Sequence, residues 1–203
     1  MLELVIATKN KKKLAEIKDI LKVRGIKITS LEEYRHAPRI IENGRTFKAN
    51  ALKKADKIAR FTGKLALGED SGLCVDALGG QPGVYSSRFS GKDKSDDKNN
   101  AKLLRLMQNV PETKRGAYYV CAVAIADKDG PVGIVEGKCS GRIGHELKGT
   151  RGFGYDPLFV IPKFKLTFAQ LGEKVKHRMS HRYYALKKAK KVIFKYIERR
   201  RIS

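Results

Sequence analysis

Residues 2–30, LELVIATKNKKKLAEIKDILKVRGIKITS, decide the class of fold. LELVIAT is an apolar run with the length and composition of a buried strand. After it, Leu14, Ile17, Ile20 and Leu21 recur at helical spacing, and Gly25 stops the helix. IKITS then alternates apolar and polar residues, as a second strand does. Strand, helix, strand is the opening of an α/β protein.

The same reading extends outward. Residues 31–45, with Pro38 and Gly44, read as a loop, and 46–63 as a helix with Thr46 as N-cap and Gly63 as its stop. Residues 95–109 form a further amphipathic helix. GAYYVCAVAIADKDGPVGIVEGKCSGRIG, from residue 116, reads as two long strands joined by a Lys-Asp-Gly hairpin turn. From Ser180 a final helix turns Ala185, Ala189, Val192, Ile193 and Tyr196 inward and its lysines outward. No internal repeat or linker interrupts the 203 residues, and one domain is expected.

Composition bounds the function. Hydrophobic residues make up 41% of the chain, which excludes a disordered protein, and no apolar run is long enough for a transmembrane helix. The first ten residues, MLELVIATKN, show no export signal, so a cytoplasmic protein is expected. Cys74, Cys121 and Cys139 fit neither a disulfide framework nor a zinc site and read as reduced thiols. Forty-four Lys and Arg against 21 acids give a formal charge of +23, which favours anionic partners: nucleotides, nucleic acid or an anionic surface.

So basic a chain has few acids to place, yet Glu69, Asp70 and Asp76 fall together in GEDSGLCVD, residues 68–76. The pattern puts them between two short apolar strands, at a strand end or in the turn after it. A triphosphate is hydrolysed once its charge is neutralised, commonly by Mg²⁺ held by a few carboxylates, phosphate oxygens and water. Glu42, Glu69 and Asp70 are candidates for that role, one carboxylate also taking the proton of the attacking water. The Ser71 and Gly72 amides are candidates for a phosphate oxygen. A turn with solvated acids is the commonplace alternative.

Other segments supply matching chemistry. In ATKNKKK, Thr8, Asn10 and Lys13 stand where a strand gives way to a helix N-terminus, a place that favours phosphate, although the glycines and GK[ST] ending of a Walker loop are absent. Thr46, Asn50 and Lys54 recur every four residues and form a polar stripe. GTRGFGYDP, residues 149–157, permits close backbone approach at Gly152 and Gly154. It offers Phe153 or Tyr155 to stack on a flat base and Asp156 to accept from base or sugar. In KHRMSHR, Ser180 has the position of an N-cap, with Lys176 four residues before it. His181 and Arg182 fall in the first turn, where basic residues oppose the helix dipole unless an anion or a carbonyl-rich ligand meets them.

Taken in order, ATKNKKK, ENGRTFKANALKKA, EDSGLCVDALGGQPGVYSSRFSG, GTRGFGYDPLF and SHRYYAL resemble the inosine triphosphate pyrophosphatase family, over about residues 4–190. The resemblance implies an elongated mixed-sheet α/β fold with two lobes around a central nucleotide-binding cleft, a homodimer, and a Mg²⁺ requirement. It implies hydrolysis of ITP, dITP and XTP to the monophosphate and pyrophosphate, which clears non-standard purines from the nucleotide pool before they enter DNA or RNA. By similarity, Thr8, Asn10, Lys13 and Lys54 hold the triphosphate, Glu42 and Asp70 bind metal, and Asp70 is the proton acceptor. Glu69 stands where many members have Asp, and Ser71 matches a substrate contact. Phe153, Gly154, Tyr155, Asp156, Lys176, His181 and Arg182 match base-binding positions. The family's TFxEN pattern reads TFKAN here, with Ala49 in place of the acid. A nucleic-acid-binding module is the competing class; the acids at 69, 70 and 76 sit poorly beside a duplex, and no recognised binding motif accompanies the charge.

Overall fold

The computed structural model of the chain describes residues 2–23 and 25–202. The opening is as the periodicity dictates: β1 (Leu2–Ile6), α1 (Lys11–Leu21) and β2 (Ile26–Ser30). α2 (Phe47–Thr62) leads into β3 (Leu65–Val75), and α3 (Asp96–Met107) precedes the hairpin of β4 (Gly116–Asp127) and β5 (Gly130–Ile143). Two short strands follow, β6 (Phe159–Ile161) and β7 (Leu166–Thr167), then α4 (Phe168–Leu171), α5 (Glu173–Met179) and α6 (His181–Ile202). The strands form a seven-stranded sheet in the order β2-β1-β3-β4-β5-β6-β7. β1 is parallel to both β2 and β3, whereas β6 is antiparallel to β5 and β7. The expected mixed-sheet α/β architecture is therefore the one observed.

The chain divides into two compact units: residues 1–70, 121–137 and 182–203, and residues 71–120 and 138–181. The first unit has a core in which α1 and α6 bury Ile17, Leu21, Ala185, Leu186, Ala189 and Ile193 with Leu4, Ile6, Leu67 and Val123. A second core of the same unit sets the small face of α2, Ala51, Ala55, Ile58 and Ala59, on Val5, Ala66 and Ala124. In the other unit Leu73, Leu103, Met107, Tyr119, Phe159 and Phe168 share one core.

One expectation is corrected. GEDSGLCVD is no turn between strands: β3 runs unbroken through residues 68–75, only Asp76 lies beyond it in a 3-10 turn, and Glu69 and Asp70 are interior strand residues, both buried. Ser180 stands between two helices: its amide donates to the Lys176 carbonyl of α5 at 2.9 Å, its backbone is extended, and α6 begins at the next residue, which is the N-cap position expected. The three cysteines are buried thiols, as expected of reduced core residues.

Arg115 organises the second unit. It is 1% exposed and donates to four carbonyls: Met107 (2.7 Å) and Val110 (3.1 Å) at the end of α3, and Ile143 (2.7 Å) and Gly144 (2.7 Å) at the end of β5. A buried acceptor that loses its donor costs about 1–3 kcal/mol. Arg115→Met is therefore expected to lower the unfolding free energy by more than about 3 kcal/mol, read from urea denaturation. A loss under about 1 kcal/mol would show that water takes over these carbonyls.

Candidate active site

The first unit gathers seven charged side chains around β3. Glu69 accepts from Arg182 Nη2 (2.9 Å) and from the Cys121 thiol (3.3 Å) through Oε1, while Lys13 Nζ lies 2.9 Å from Oε2. Arg182 also pairs with Glu16 of α1. One residue on, Asp70 accepts from Asn50 Nδ2 (3.0 Å) and faces Lys54 Nζ at 3.4 Å. Lys54 donates in addition to the Glu69 carbonyl (3.0 Å) and to Glu42 Oε2 (2.6 Å).

Local sequence explains how these groups meet. A Cβ on Gly68 would lie 2.1 Å from the Ala51 carbonyl and 2.6 Å from the Ala55 amide, so the missing side chain lets α2 rest directly on β3. That approach lays Lys54 over Asp70. Asn50 serves two partners: its amide oxygen accepts from the Gly44 amide (2.8 Å), and its nitrogen reaches Asp70. The loop bearing Glu42 is thereby tied to the strand bearing Asp70. At α1, Thr8 accepts from the Asn10 amide (3.2 Å) and Asn10 caps the helix by accepting from the Lys13 amide (3.1 Å). The first turn of α1 carries no acid, only Lys11, Lys12 and Lys13, whereas α3 has Asp96 and Asp97 there. Lysines stacked on the positive end of a helix dipole repel one another and lower the cost of binding a polyanion.

The two acids differ in ionisation. Burial opposes charge on Glu69, but Lys13, Arg182 and Lys54 outweigh it and hold the carboxyl well below its usual range. For Asp70 burial prevails over Lys54 and Lys13, with the Glu69 charge adding to it, so its carboxyl is raised. Lys54 pays a desolvation cost that Asp70, Glu42 and Glu69 overcome, and it stays protonated. The cluster thus holds four carboxyl groups against three cations, and of the two neighbours on β3 Glu69 is depressed while Asp70 is raised.

The second unit builds a different constellation. Asp156 Oδ2 accepts from Lys176 Nζ (2.6 Å) and from the Phe153 amide (3.0 Å), and the Lys176 ammonium lies 4.4 Å from the Phe153 ring centre. A Cβ at Gly152 would stand 2.2 Å from Asp156 Oδ2, and φ there is +82°, so this turn requires glycine. α3 fixes the loop: Asp96 accepts from the Gly154 amide (2.8 Å), and Asn100 donates to its carbonyl (2.9 Å). His181 stacks on Tyr119 at 4.6 Å and 10°.

Of the residues expected to bind the base, Phe153, Gly154, Asp156, Lys176 and His181 all lie in this unit. Tyr155 is buried, its hydroxyl donating to the Ser86 carbonyl at 2.8 Å, so it is a core residue and does not offer a stacking face. Arg182 lies in the first unit, where Glu16 and Glu69 engage its guanidinium. Ser71 follows Asp70 on β3 and begins the second unit. Ala49 is an exposed residue of the first turn of α2.

This arrangement and the order of its segments can be matched against known proteins. The model of the Ham1 family matches residues 4–192. The chain belongs to the Ham1 family. A relative in Desulforamulus reducens named dITP/XTP pyrophosphatase is 50% identical over 95% of this chain and 96% of its own. One of the same name in Rhodopirellula baltica is 48% identical, over 92% and 90%. The solved structure of a HAM1 protein from Coxiella burnetii, 38% identical, superposes with a TM-score of 0.88 over 96% of this chain and 100% of that one. Within this Ham1 chain, sequence reading missed Glu16, Cys121, Asp96 and Asn100. Glu16 carried a signal: it lies one turn before Ile20, at the edge of the apolar stripe of α1, where an acid needs a buried partner.

Glu69→Gln leaves Arg182 and Lys13 without their shared anion, and breaking a buried pair in this way costs about 3–5 kcal/mol. A carboxyl depressed in the folded state contributes stability above its unfolded pKa, about 4.3, and loses it as pH falls through the folded value. Urea denaturation of wild type and variant is thus expected to differ most at neutral pH and to converge in strong acid. A difference independent of pH would assign Glu69 a packing role only.

Proposed function

We propose that this chain hydrolyses dITP, XTP and ITP between the α and β phosphates, giving the nucleoside monophosphate and pyrophosphate. The observation that carries the reading is Asp70: a buried strand carboxyl of raised basicity, aligned by Asn50 and facing Lys54, inside a cluster with one more carboxylate than cation. The names of the relatives support the substrate class.

The excess carboxylate suits a divalent cation. Mg²⁺ takes hard oxygen ligands, commonly one or two carboxylates with substrate phosphates and water, and Asp70 and Glu42 both reach Lys54. Those two would hold it; Glu69, committed to Lys13, Arg182 and Cys121, would support the site from behind. When bound, the ion neutralises charge on the phosphate oxygens. Lys13, Lys54 and the first turn of α1 with Thr8 and Asn10 receive the polyphosphate, and Ser71 contacts it. Asp70 accepts the proton of the water that attacks the α-phosphorus. No side chain acts as nucleophile, and positioning with charge stabilisation accounts for the rate.

Base selection falls to the second unit. Phe153 offers a ring face, Lys176 donates to a 6-oxo group, Asp156 holds Lys176 in place, and His181 lines the base. Adenine presents a 6-amino donor there, which cannot accept from the ammonium, and buried polar sites reject such a mismatch strongly. A homodimer is part of the same reading. Among the described residues no helix is long and apolar enough to cross a membrane.

Purified protein incubated with dITP, XTP, ITP, GTP and ATP, with and without Mg²⁺, is expected to release monophosphate and pyrophosphate from the first three only when metal is present. Asp70→Asn should lower kcat about 10²–10⁴-fold. Because burial raises its carboxyl, the acid limb of kcat/KM should lie above the ordinary range of an aspartate. Release of inorganic phosphate in place of pyrophosphate, or full activity in the variant, would overturn the reading.

A further inference from the structure

α6 has two faces with different chemistry. Ala185, Leu186, Ala189 and Ile193 are buried in the core of the first unit. Tyr184, Lys187, Lys188, Lys191, Phe194 and Lys195 are all exposed, and their spacing of three and four residues makes one continuous outward stripe. Over residues 181–202 nine Lys and Arg meet a single acid, Glu198. Lys188 donates to the Glu136 carbonyl (2.7 Å), but no carboxylate pairs with Lys187, Lys191 or Lys195 among the described residues.

Solvated lysines alone need no partner. The rings are the informative feature: Tyr184 is 43% exposed and Phe194 46%, and ten residues of helix separate them by about 15 Å. Two half-exposed aromatics set among unpaired cations are the combination that binds a flexible polyanion with planar groups, cations to phosphates and rings to bases. A bilayer would need a continuous apolar face, and the apolar face of α6 is inside the core. A duplex keeps its bases stacked on one another and gives the rings nothing to cover.

We propose that the outward stripe of α6 binds single-stranded nucleic acid, with Lys187, Lys191 and Lys195 on the phosphates and Tyr184 and Phe194 stacked on bases. This function is separate from nucleotide hydrolysis and does not rest on it. None of the five residues belongs to the hydrolytic cluster, so their substitution leaves that cluster intact.

The test is fluorescence anisotropy of a labelled oligothymidylate of about 16 nucleotides, titrated with the full chain between about 50 and 200 mM salt. Wild type should bind with affinity falling linearly in log salt. Replacing Lys187, Lys191 and Lys195 by Gln should reduce that slope by about 2, since each phosphate contact in a single strand contributes about 0.7. Tyr184→Ala with Phe194→Ala should weaken binding by at least about 30-fold at unchanged slope. Circular dichroism of each variant confirms that α6 is retained. The proposal fails if wild type does not bind at the lowest salt, or if the triple variant keeps the wild-type slope. It fails equally if the double aromatic variant binds as wild type, or if a duplex or an anionic phosphatidylserine vesicle binds more tightly than the oligothymidylate.

Discussion

The first unit depends on one buried carboxylate. Glu69 stands in the middle of a strand whose every neighbour but Ser71 is buried, a position where an isolated charge is prohibitive. It is kept by three groups from three other elements: Lys13 of α1, Cys121 of β4 and Arg182 of α6. Arg182, equally buried, is held in turn by Glu16 of α1. Such a network adds little stability over an apolar core, but it permits only one arrangement of α1, α6 and β3, because any shift leaves a charge without a partner. The positions of Lys13 and Asp70 follow from it.

On the other side of the same strand, contact is set by absence. Gly68 has no side chain, so the backbone of α2 settles onto β3 and Lys54 and Asn50 come down over Asp70. Ala51 and Ala55 continue this small face. The consequence is chemical: Asp70, one residue from a fully neutralised acid, receives one amide and one ammonium and keeps a raised basicity. Adjacent acids on one strand point to opposite faces, and two environments separate their protonation.

What the sequence conveyed follows from this physics. Periodicity exposed α1, α2, α3, the β4–β5 hairpin and α6, whose apolar stripes are local facts. It misplaced β3, because Gly-Glu-Asp-Ser-Gly has the composition of a turn and only partners distant in sequence make it a strand interior. Residues 166–179 form β7, α4 and α5, elements too short for a period to show. In the candidate site, Lys13, Lys54 and Asp70 were legible from their spacing and from the family resemblance. The neutralisation of Glu69 by Arg182 and the hydrogen bond from Cys121 were not, since both are defined by contact with Glu69 across more than 50 residues of chain.

The charge pattern joins these levels. The chain carries +23, yet the cluster around β3 has an excess of carboxylate, so the positive charge is an exterior property. A basic exterior raises the local concentration of polyanions and their rate of encounter, and does so for any phosphate. It cannot choose among them. Choice requires desolvated groups at fixed positions, the part that the proposed reading assigns to Asp70 beside Lys54 for the reacting phosphate and to Lys176 on Asp156 for the base. α6 contributes to both levels, because its first turn sends Arg182 inward to hold Glu69 while its outer face carries Lys187, Lys191 and Lys195, with which no carboxylate pairs among the described residues. A single helix can therefore lose its outer charges without disturbing the buried acid, and the two properties are free to vary independently.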